Sequence, residues 1–233
     1  MDILDAVILG IIQGLTEFLP VSSSGHLELG KAIFDLHLAG ADSLTFDVIV
    51  HSGTALSTIV VFRKDIANII KGLIKFKWND EWKFAVNVLI SMVPAAFIGL
   101  LFQDQIEFLF ENQILLVGGM LIITGLLLFL ADRAKRTERK VKKADAIIIG
   151  IAQAIAILPG ISRSGSTIAV ALVLGVSREK AAKFSFLMVL VPIIAANIKD
   201  LLDTDFSANS SISLTPLIIG FAAAFISGLV ACK

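Results

Sequence analysis

Five long apolar runs, near residues 45–62, 84–102, 114–131, 184–199 and 212–231, dominate this chain. A helix needs about 20 predominantly apolar residues to cross roughly 30 Å of hydrocarbon, and each run approaches or reaches that length. The composition agrees: 56% of the 233 residues are hydrophobic, 17% are charged, and the mean hydropathy is +0.88. Soluble domains are roughly 45–50% apolar and about 25% charged, so a soluble fold is excluded and an all-α polytopic membrane protein is expected.

Two further apolar segments, 3–36 and 144–175, are each interrupted near the middle by Pro, Gly and Ser. Loops rich in Lys and Arg stay on the cytoplasmic side. The links carrying Arg63, Lys64, Lys71, Lys75, Lys77 and Lys83, and Arg133 through Lys143, are therefore expected inside. The stretches with Asp104, Glu107 and Glu111, and with Asp200, Asp203 and Asp205, are expected outside. The segment 144–175 lies between two basic stretches, the second containing Arg178, Lys180 and Lys183, so it enters and leaves on the cytoplasmic side. Alternation places 3–36 as a hairpin dipping in from the outer face. Two re-entrant helical hairpins plus five or six transmembrane helices result.

The hairpins match when the chain is laid on itself with a shift of about 140. Gly10 then falls on Gly150, Gln13 on Gln153, Ser22 on Ser162, Ser24 on Ser164 and Gly25 on Gly165. Opposite entry sides make this an inverted-topology repeat, a plan that puts binding sites at the repeat interface on discontinuous helices. One integral membrane domain, 1–233, is expected, with repeat one over about 3–131 and repeat two over about 144–233. Repeat two has one helix fewer, which leads us to expect a C-terminally truncated copy. The acidic start, Asp2 and Asp5, argues against a cleaved signal segment.

Lys plus Arg equals Asp plus Glu, at 20 each, so no basic excess points to nucleic acid. The single cysteine, Cys232, excludes an internal disulfide framework and a cysteine-based zinc site. The chemistry concentrates in the two breaks. The first reads Gln13 to His26 through Glu17, Pro20, Ser22, Ser23, Ser24 and Gly25; Gln13 and Glu17 share a helix face and Pro20 breaks the helix beyond them. The second runs from Pro159 and Gly160 through Ser162, Arg163, Ser164 and Gly165 to Thr167, where Gly and Ser open a new helix with its positive dipole end at the break.

A charge inside the bilayer costs at least about 2.5–3.5 kcal/mol, so Glu17 and Arg163 require a reason to be there. A structural ion pair between them, with the serines as helix caps, would account for the charges and leave the imidazole and most hydroxyls unused. Guanidinium, hydroxyls, helix N-termini, carboxylate and imidazole together fit a phosphate site with a metal.

The first break resembles the Glu/Gln-x-x-x-Glu plus Pro-x-Ser-Ser-x-Gly-His signature of undecaprenyl pyrophosphate phosphatases of the bacitracin-resistance type, and the second resembles their Pro-Gly-x-Ser-Arg-Ser-x-x-Thr signature. The resemblance runs the length of the chain. It implies a multi-pass enzyme of the bacterial plasma membrane that hydrolyses a polyprenyl diphosphate to the monophosphate and recycles the carrier lipid for cell-wall glycan synthesis; the charge distribution of the loops puts the expected opening of its pocket at the outer face. Carried over by position, it points to Glu17, Ser22, Ser23 and His26 in the first break and to Ser162, Arg163, Ser164 and Thr167 in the second, with Glu17, Ser23, His26 and Arg163 expected as catalytic and the others as substrate-binding; Ser24 and the backbone N–H groups around Gly160 and Gly165 are expected to add to the substrate site. Mg²⁺ or Ca²⁺ would sit on Glu17 and Gln13. Gln13 departs from the Glu that many members carry, so a mechanism needing two carboxylates there is in doubt. Ser23 with His26 as its base is the favoured nucleophile, with His26 itself or water as alternatives. Expected partners are the polyprenyl lipid and the bilayer, with a homodimer open and no nucleic acid. A polyprenyl phosphate flippase using the same headgroup site is the competing function.

The remaining polar residues have simpler readings. Asp47 and His51, four apart, are expected to form a packed hydrogen-bonded pair at a helix end more readily than to support the site. His37 reads as a loop residue, Gln153 as a donor to broken backbone, and Asn87, Ser91 and Asn197 as interhelical hydrogen-bonding residues. The basic links set topology and meet anionic lipid heads.

Overall fold

The structure is a computed structural model that describes residues 1–36, 40–102, 114–134, 137–202 and 212–232; the side chains of 40–41 and 196–202 are outside that description. Among the described residues there are ten helices and no strand. They are α1 (Ile3–Phe18), α2 (Ser23–Ile33), α3 (Gly40–Val61), α4 (Arg63–Ile74), α5 (Asp80–Leu101), α6 (Ile114–Asp132), α7 (Lys143–Ile155), α8 (Arg163–Val173), α9 (Arg178–Leu202) and α10 (Leu214–Ala231). Four stretches are long and apolar enough to cross a membrane: Asp42–Val61, Asp80–Leu101, Ile114–Asp132 and Leu214–Ala231. The apolar run expected over 184–199 lies within α9. His37, Asn197 and the acidic stretches at 104–111 and 203–205 fall outside the described residues or side chains.

Both interrupted segments form two helices joined by a short non-helical break, and the breaks follow from local chemistry. Pro20 has no N–H to donate and restricts Leu19, which has extended backbone at ψ 136. Gly160 adopts φ +90, a conformation that L side chains resist, and Ser162 caps the next helix by accepting from the Gly165 N–H at 2.9 Å. Elsewhere Asn79 caps α5 through the Trp82 N–H at 2.8 Å while its amide donates to the Gly72 carbonyl, joining the end of α4 to the start of α5.

The chain divides into two compact units. The first comprises Met1–Leu19, Ser23–Val61 and Val189–Lys233; the second comprises Pro20–Ser22 and Phe62–Met188. In the first unit α1 packs on α10, α2 and α3, and α3 also packs on α10. Leu9, Leu27, Phe46 and Val50 form its core. Small residues let the backbones approach. A methyl on Gly10 would stand 2.5 Å from the Gly220 carbonyl, and one on Gly14 would stand 1.9 Å from Ser227 Oγ. Without a hydrophobic drive between helices in lipid, this close packing is the main source of association.

In the second unit α5 packs on α7 and α4, and α8 packs on α7 and α6. Phe184, Met188, Ile149 and Val176 are central to its core, with Phe84 edge-on to Phe184 at 5.6 Å. Gly150 is the tight point of the α5–α7 crossing, its missing methyl 2.5 Å from the Ser91 carbonyl. Ser91 itself bonds to Met188 Sδ and Asn87 to the Val141 carbonyl. Arg139 closes the far end of the α7–α8 pair. It takes Asp145 in a two-pronged bond, at 2.9 and 3.2 Å, and also donates to the Leu174 and Gly175 carbonyls.

Beyond these cores, many large apolar side chains are exposed while several polar ones are buried. Leu100 and Leu115 are 80% and 94% exposed while Gln13, Ser57 and Ser91 are fully buried. That inversion suits a hydrocarbon solvent.

Candidate active site

The carboxylate expected at membrane depth is built into the first unit. Glu17 sits on the last turn of α1 and is 8% exposed. Its Oε2 accepts a hydrogen bond from Gln13 Nε2 at 3.0 Å and a short one from Ser23 Oγ at 2.6 Å. The first bond follows from helical spacing, since residues four apart stack one turn above another. The second follows from the break at Pro20, which returns the chain so that the first residue of α2 faces the end of α1. A 2.6 Å O–H···O⁻ contact is of the charge-assisted class.

From α3 comes a polar stripe at three- to four-residue spacing: Asp47, His51, Thr54 and Thr58. Gln13 Nε2 also reaches Thr54 Oγ1 at 3.5 Å, and His51 Nε2 stands 3.7 Å from Glu17 Oε2. Gln13 is wholly buried and its Oε1 has no hydrogen-bond partner. Turning the amide around would set that oxygen against the Glu17 carboxylate unless a cation stood between the two.

Asp47 and His51 do meet, through the backbone: His51 Nδ1 bonds to the Asp47 carbonyl oxygen at 2.7 Å. The Asp47 carboxylate turns to Lys31, whose ammonium also serves Glu28 and Ser43, at distances of 2.9, 2.9 and 2.7 Å. Lys31 is buried, and the three bonds account for its three donors. This network fastens α2 to α3 and so sets His51 in relation to Ser23. Sequence reasoning passed over Lys31 and Thr54 and weighted His51 toward a helix-end role. The signal available was the 47–51–54–58 period along an otherwise apolar run.

The second break lies in the second unit with Pro20–Ser22. Ser22 has φ +70, uncommon for a residue with a side chain, and is buried. Strained backbone of this kind persists where its surroundings over-determine it. A methyl on Gly165 would stand 2.9 Å from the Pro20 carbonyl, so glycine is required for that approach. Thr124 of α6 clamps the break from the other side: its hydroxyl donates to the Gly160 carbonyl at 3.1 Å and accepts the Ser162 N–H at 2.9 Å. Ser162 Oγ lies 3.4 Å from Ser164 Oγ. Thr167 Oγ1 bonds to the Arg163 carbonyl at 2.8 Å and pairs with Ser185 Oγ at 2.7 Å. Arg163 opens α8. Thr124 and Ser185 carry no sequence signal of their own, because each lies in a separate apolar helix.

Thus Gln13, Glu17, Ser23 and His51 gather in the first unit, with Ser24 and His26 on the first turn of α2. Ser22, Gly160, Ser162, Arg163, Ser164, Gly165 and Thr167 belong to the second. Among the described residues no three His, Cys, Asp or Glu side chains stand close enough to share a metal ion. A cation on Glu17 would therefore have at most one further such side chain and would complete its shell from amide, water or ligand oxygens.

Residues 6–233 match the profile of the bacitracin resistance protein BacA family. An undecaprenyl-diphosphatase of Christiangramia forsetii is 59% identical over 233 residues, covering all of this chain and 88% of that protein. One of Bacteroides fragilis is 47% identical over 237 residues, again with 88% coverage of the relative, and one of Carboxydothermus hydrogenoformans is 45% identical with 87% coverage. Two broken helix pairs with their buried polar residues, matched across the whole described chain at this identity, place the protein in the BacA bacitracin-resistance family.

Proposed function

We propose that this chain is an undecaprenyl-diphosphatase, hydrolysing the lipid diphosphate to the monophosphate and inorganic phosphate in the bacterial plasma membrane. The observation that carries the chemistry is the part-buried Ser23–Glu17 contact of 2.6 Å, a hydroxyl already aligned on a buried carboxylate in an apolar helix set. Carriage of an intact headgroup would not require it.

In this reading Ser23 attacks the terminal phosphorus, its proton passes to the Glu17–His26 side of the site, and the lipid monophosphate leaves. Water then hydrolyses the phosphoserine, so one water is consumed and one phosphate released. Arg163 holds phosphoryl oxygens with its planar fork. The N-terminal turn of α8, with Gly160, Ser162, Ser164, Gly165 and Thr167, orients the diphosphate, and Ser22 and Ser24 do the same from the first break. The family implies Mg²⁺ or Ca²⁺; the orphaned Gln13 Oε1 beside Glu17 is an acceptor that fits one, and these two residues would hold it. When bound, such an ion neutralises charge on phosphoryl oxygens.

We also read the two broken helix pairs as re-entrant halves of an inverted repeat, with the site opening outward. Supporting this are Gly10 and Gly150, a shift of 140 apart, both at tight helix crossings, and Gln13 and Gln153, both with a buried, unpartnered Oε1.

The test is to incubate purified protein with undecaprenyl diphosphate labelled in the terminal phosphate, quench with sodium dodecyl sulfate at mildly alkaline pH, where phosphoserine and phosphohistidine both survive, and locate the label. Label on Ser23, lost in Ser23→Ala, is expected. Label on His26 would move the nucleophile. Neither label nor lipid monophosphate would overturn the function.

A further inference from the structure

His51 presents an imidazole to the buried carboxylate within the first unit, and three observations define what it offers. Its Nδ1 lies 2.7 Å from the Asp47 carbonyl oxygen, which can only accept, so Nδ1 carries the proton. In the neutral ring the lone pair is then on Nε2, and that atom faces Glu17 Oε2 at 3.7 Å. The separation is too long for a hydrogen bond. A lone pair and a carboxylate oxygen repel unless a proton or a metal ion lies between them, and two donors this far apart can share one metal ion at bonds of about 2.0–2.2 Å. Holding the ring through Nδ1–H on a carbonyl is also how metal-binding histidines are commonly oriented. Third, the amide that touches the same Glu17 oxygen carries a buried acceptor with no partner, Gln13 Oε1.

We propose that His51 Nε2 is a ligand of the divalent cation this site takes, together with Glu17 and Gln13. The inference rests on the cation assignment made above and deepens it. A chain with an amide in place of a second carboxylate has less negative charge to offer a hard ion. An imidazole nitrogen compensates by favouring the borderline transition ions over Ca²⁺. The site thereby takes a first-row transition dication in preference to Ca²⁺, with diphosphate oxygens completing the shell; Mn²⁺, the most oxygen-loving of these ions, serves as the paramagnetic probe. His51 thus defines metal preference through a direct bond, while the Lys31–Asp47 network holds the α3 turn from which it projects.

The experiment is pulsed electron paramagnetic resonance on the full chain in detergent, with Mn²⁺ as the probe and inorganic pyrophosphate present. Bound Mn²⁺ should show nitrogen hyperfine coupling in wild type and in His26→Gln, and lose it in His51→Gln with Mn²⁺ affinity reduced about tenfold. Ca²⁺ should displace Mn²⁺ from wild type only in large excess. Should His51→Gln bind no cation at all, Gln13→Glu combined with His51→Gln restores an oxygen donor set and should bind Mn²⁺ without nitrogen coupling. Wild-type Mn²⁺ without nitrogen coupling, or coupling that survives loss of His51, overturns the proposal. The readout needs no turnover, so intact coupling with no phosphate release would count against the phosphatase reading and not against His51.

Discussion

Exchanging Glu17 for glutamine separates the demands of function from those of folding. The substitution keeps the side chain's shape and removes its charge. In the native site one oxygen accepts from Gln13 at 3.0 Å and from Ser23 at 2.6 Å, in a residue 8% exposed. Bonds to a charged group are worth about 1.5–3 kcal/mol and neutral ones about 0.5–1.5, so each of the two weakens by roughly 1 kcal/mol. On the other side of the balance, an ionised group at membrane depth costs at least about 2.5–3.5 kcal/mol, which the amide does not incur. The two effects nearly cancel, so the thermal midpoint of Glu17→Gln in detergent should match or exceed that of wild type. The carboxylate that takes the Ser23 hydroxyl at 2.6 Å is lost, and with it its share in accepting the proton beside His26. General-base contributions of about 10²–10⁴ set the expected fall in phosphate release from undecaprenyl diphosphate. A variant that keeps activity within about fivefold, or one that loses activity only because it unfolds, would refute the reasoning.

Other outcomes follow from the packing. Gly14→Ala places a methyl 1.9 Å from Ser227 Oγ and 2.5 Å from the Ala224 carbonyl, an overpacked crossing expected to cost about 1–3 kcal/mol in detergent unfolding, whereas Gly118→Ala meets nothing within 4 Å and should be neutral. Arg139→Ala removes the two-pronged bond to Asp145 and leaves that nearly buried carboxylate with the Lys142 N–H but no counter-charge; discounted for the partial exposure of Arg139, the loss should be about 2 kcal/mol. Burial pushes the Cys232 thiol up to about 11. The reactive thiolate is present only above that range, so maleimide labelling at pH 7 should be slow and should rise about tenfold per pH unit until the thiol ionises.

Much of this architecture is legible in the sequence because lipid simplifies the problem. The apolar runs at 84–102, 114–131 and 212–231 reappear as α5, α6 and α10 with boundaries within a few residues, since length and hydropathy alone define such helices. Polar first turns escape that reading. Asn79, Asp80 and Glu81 cap and open α5, and hydropathy assigns them to a loop. α4 was hidden for a similar reason: its lysines mark a basic link, while its apolar residues lie on one face. The breaks at Pro20 and Gly160 were visible as Pro, Gly and Ser clusters. The company those breaks keep was not. Thr124 reaches Gly160 from 36 residues away, and Gly10 meets Gly220 across most of the chain. Such pairings depend on which helix faces which, and one sequence contains no term for that. His51 stands between the cases: its spacing from Asp47 was plain, and only the fold shows that its free-standing nitrogen is turned to Glu17 rather than to the Asp47 side chain.

The central claim is that the part-buried Ser23–Glu17 cluster belongs to a hydrolase. The most direct measurement is the phosphate released when purified wild-type protein is given undecaprenyl diphosphate with Mg²⁺, set beside Arg163→Lys, which keeps the charge and loses the planar fork. One inorganic phosphate per lipid monophosphate formed, with the rate lowered at least about a hundredfold in Arg163→Lys, is the predicted result. Recovery of the diphosphate intact from wild-type protein, or an Arg163→Lys variant as active as wild type, would contradict it.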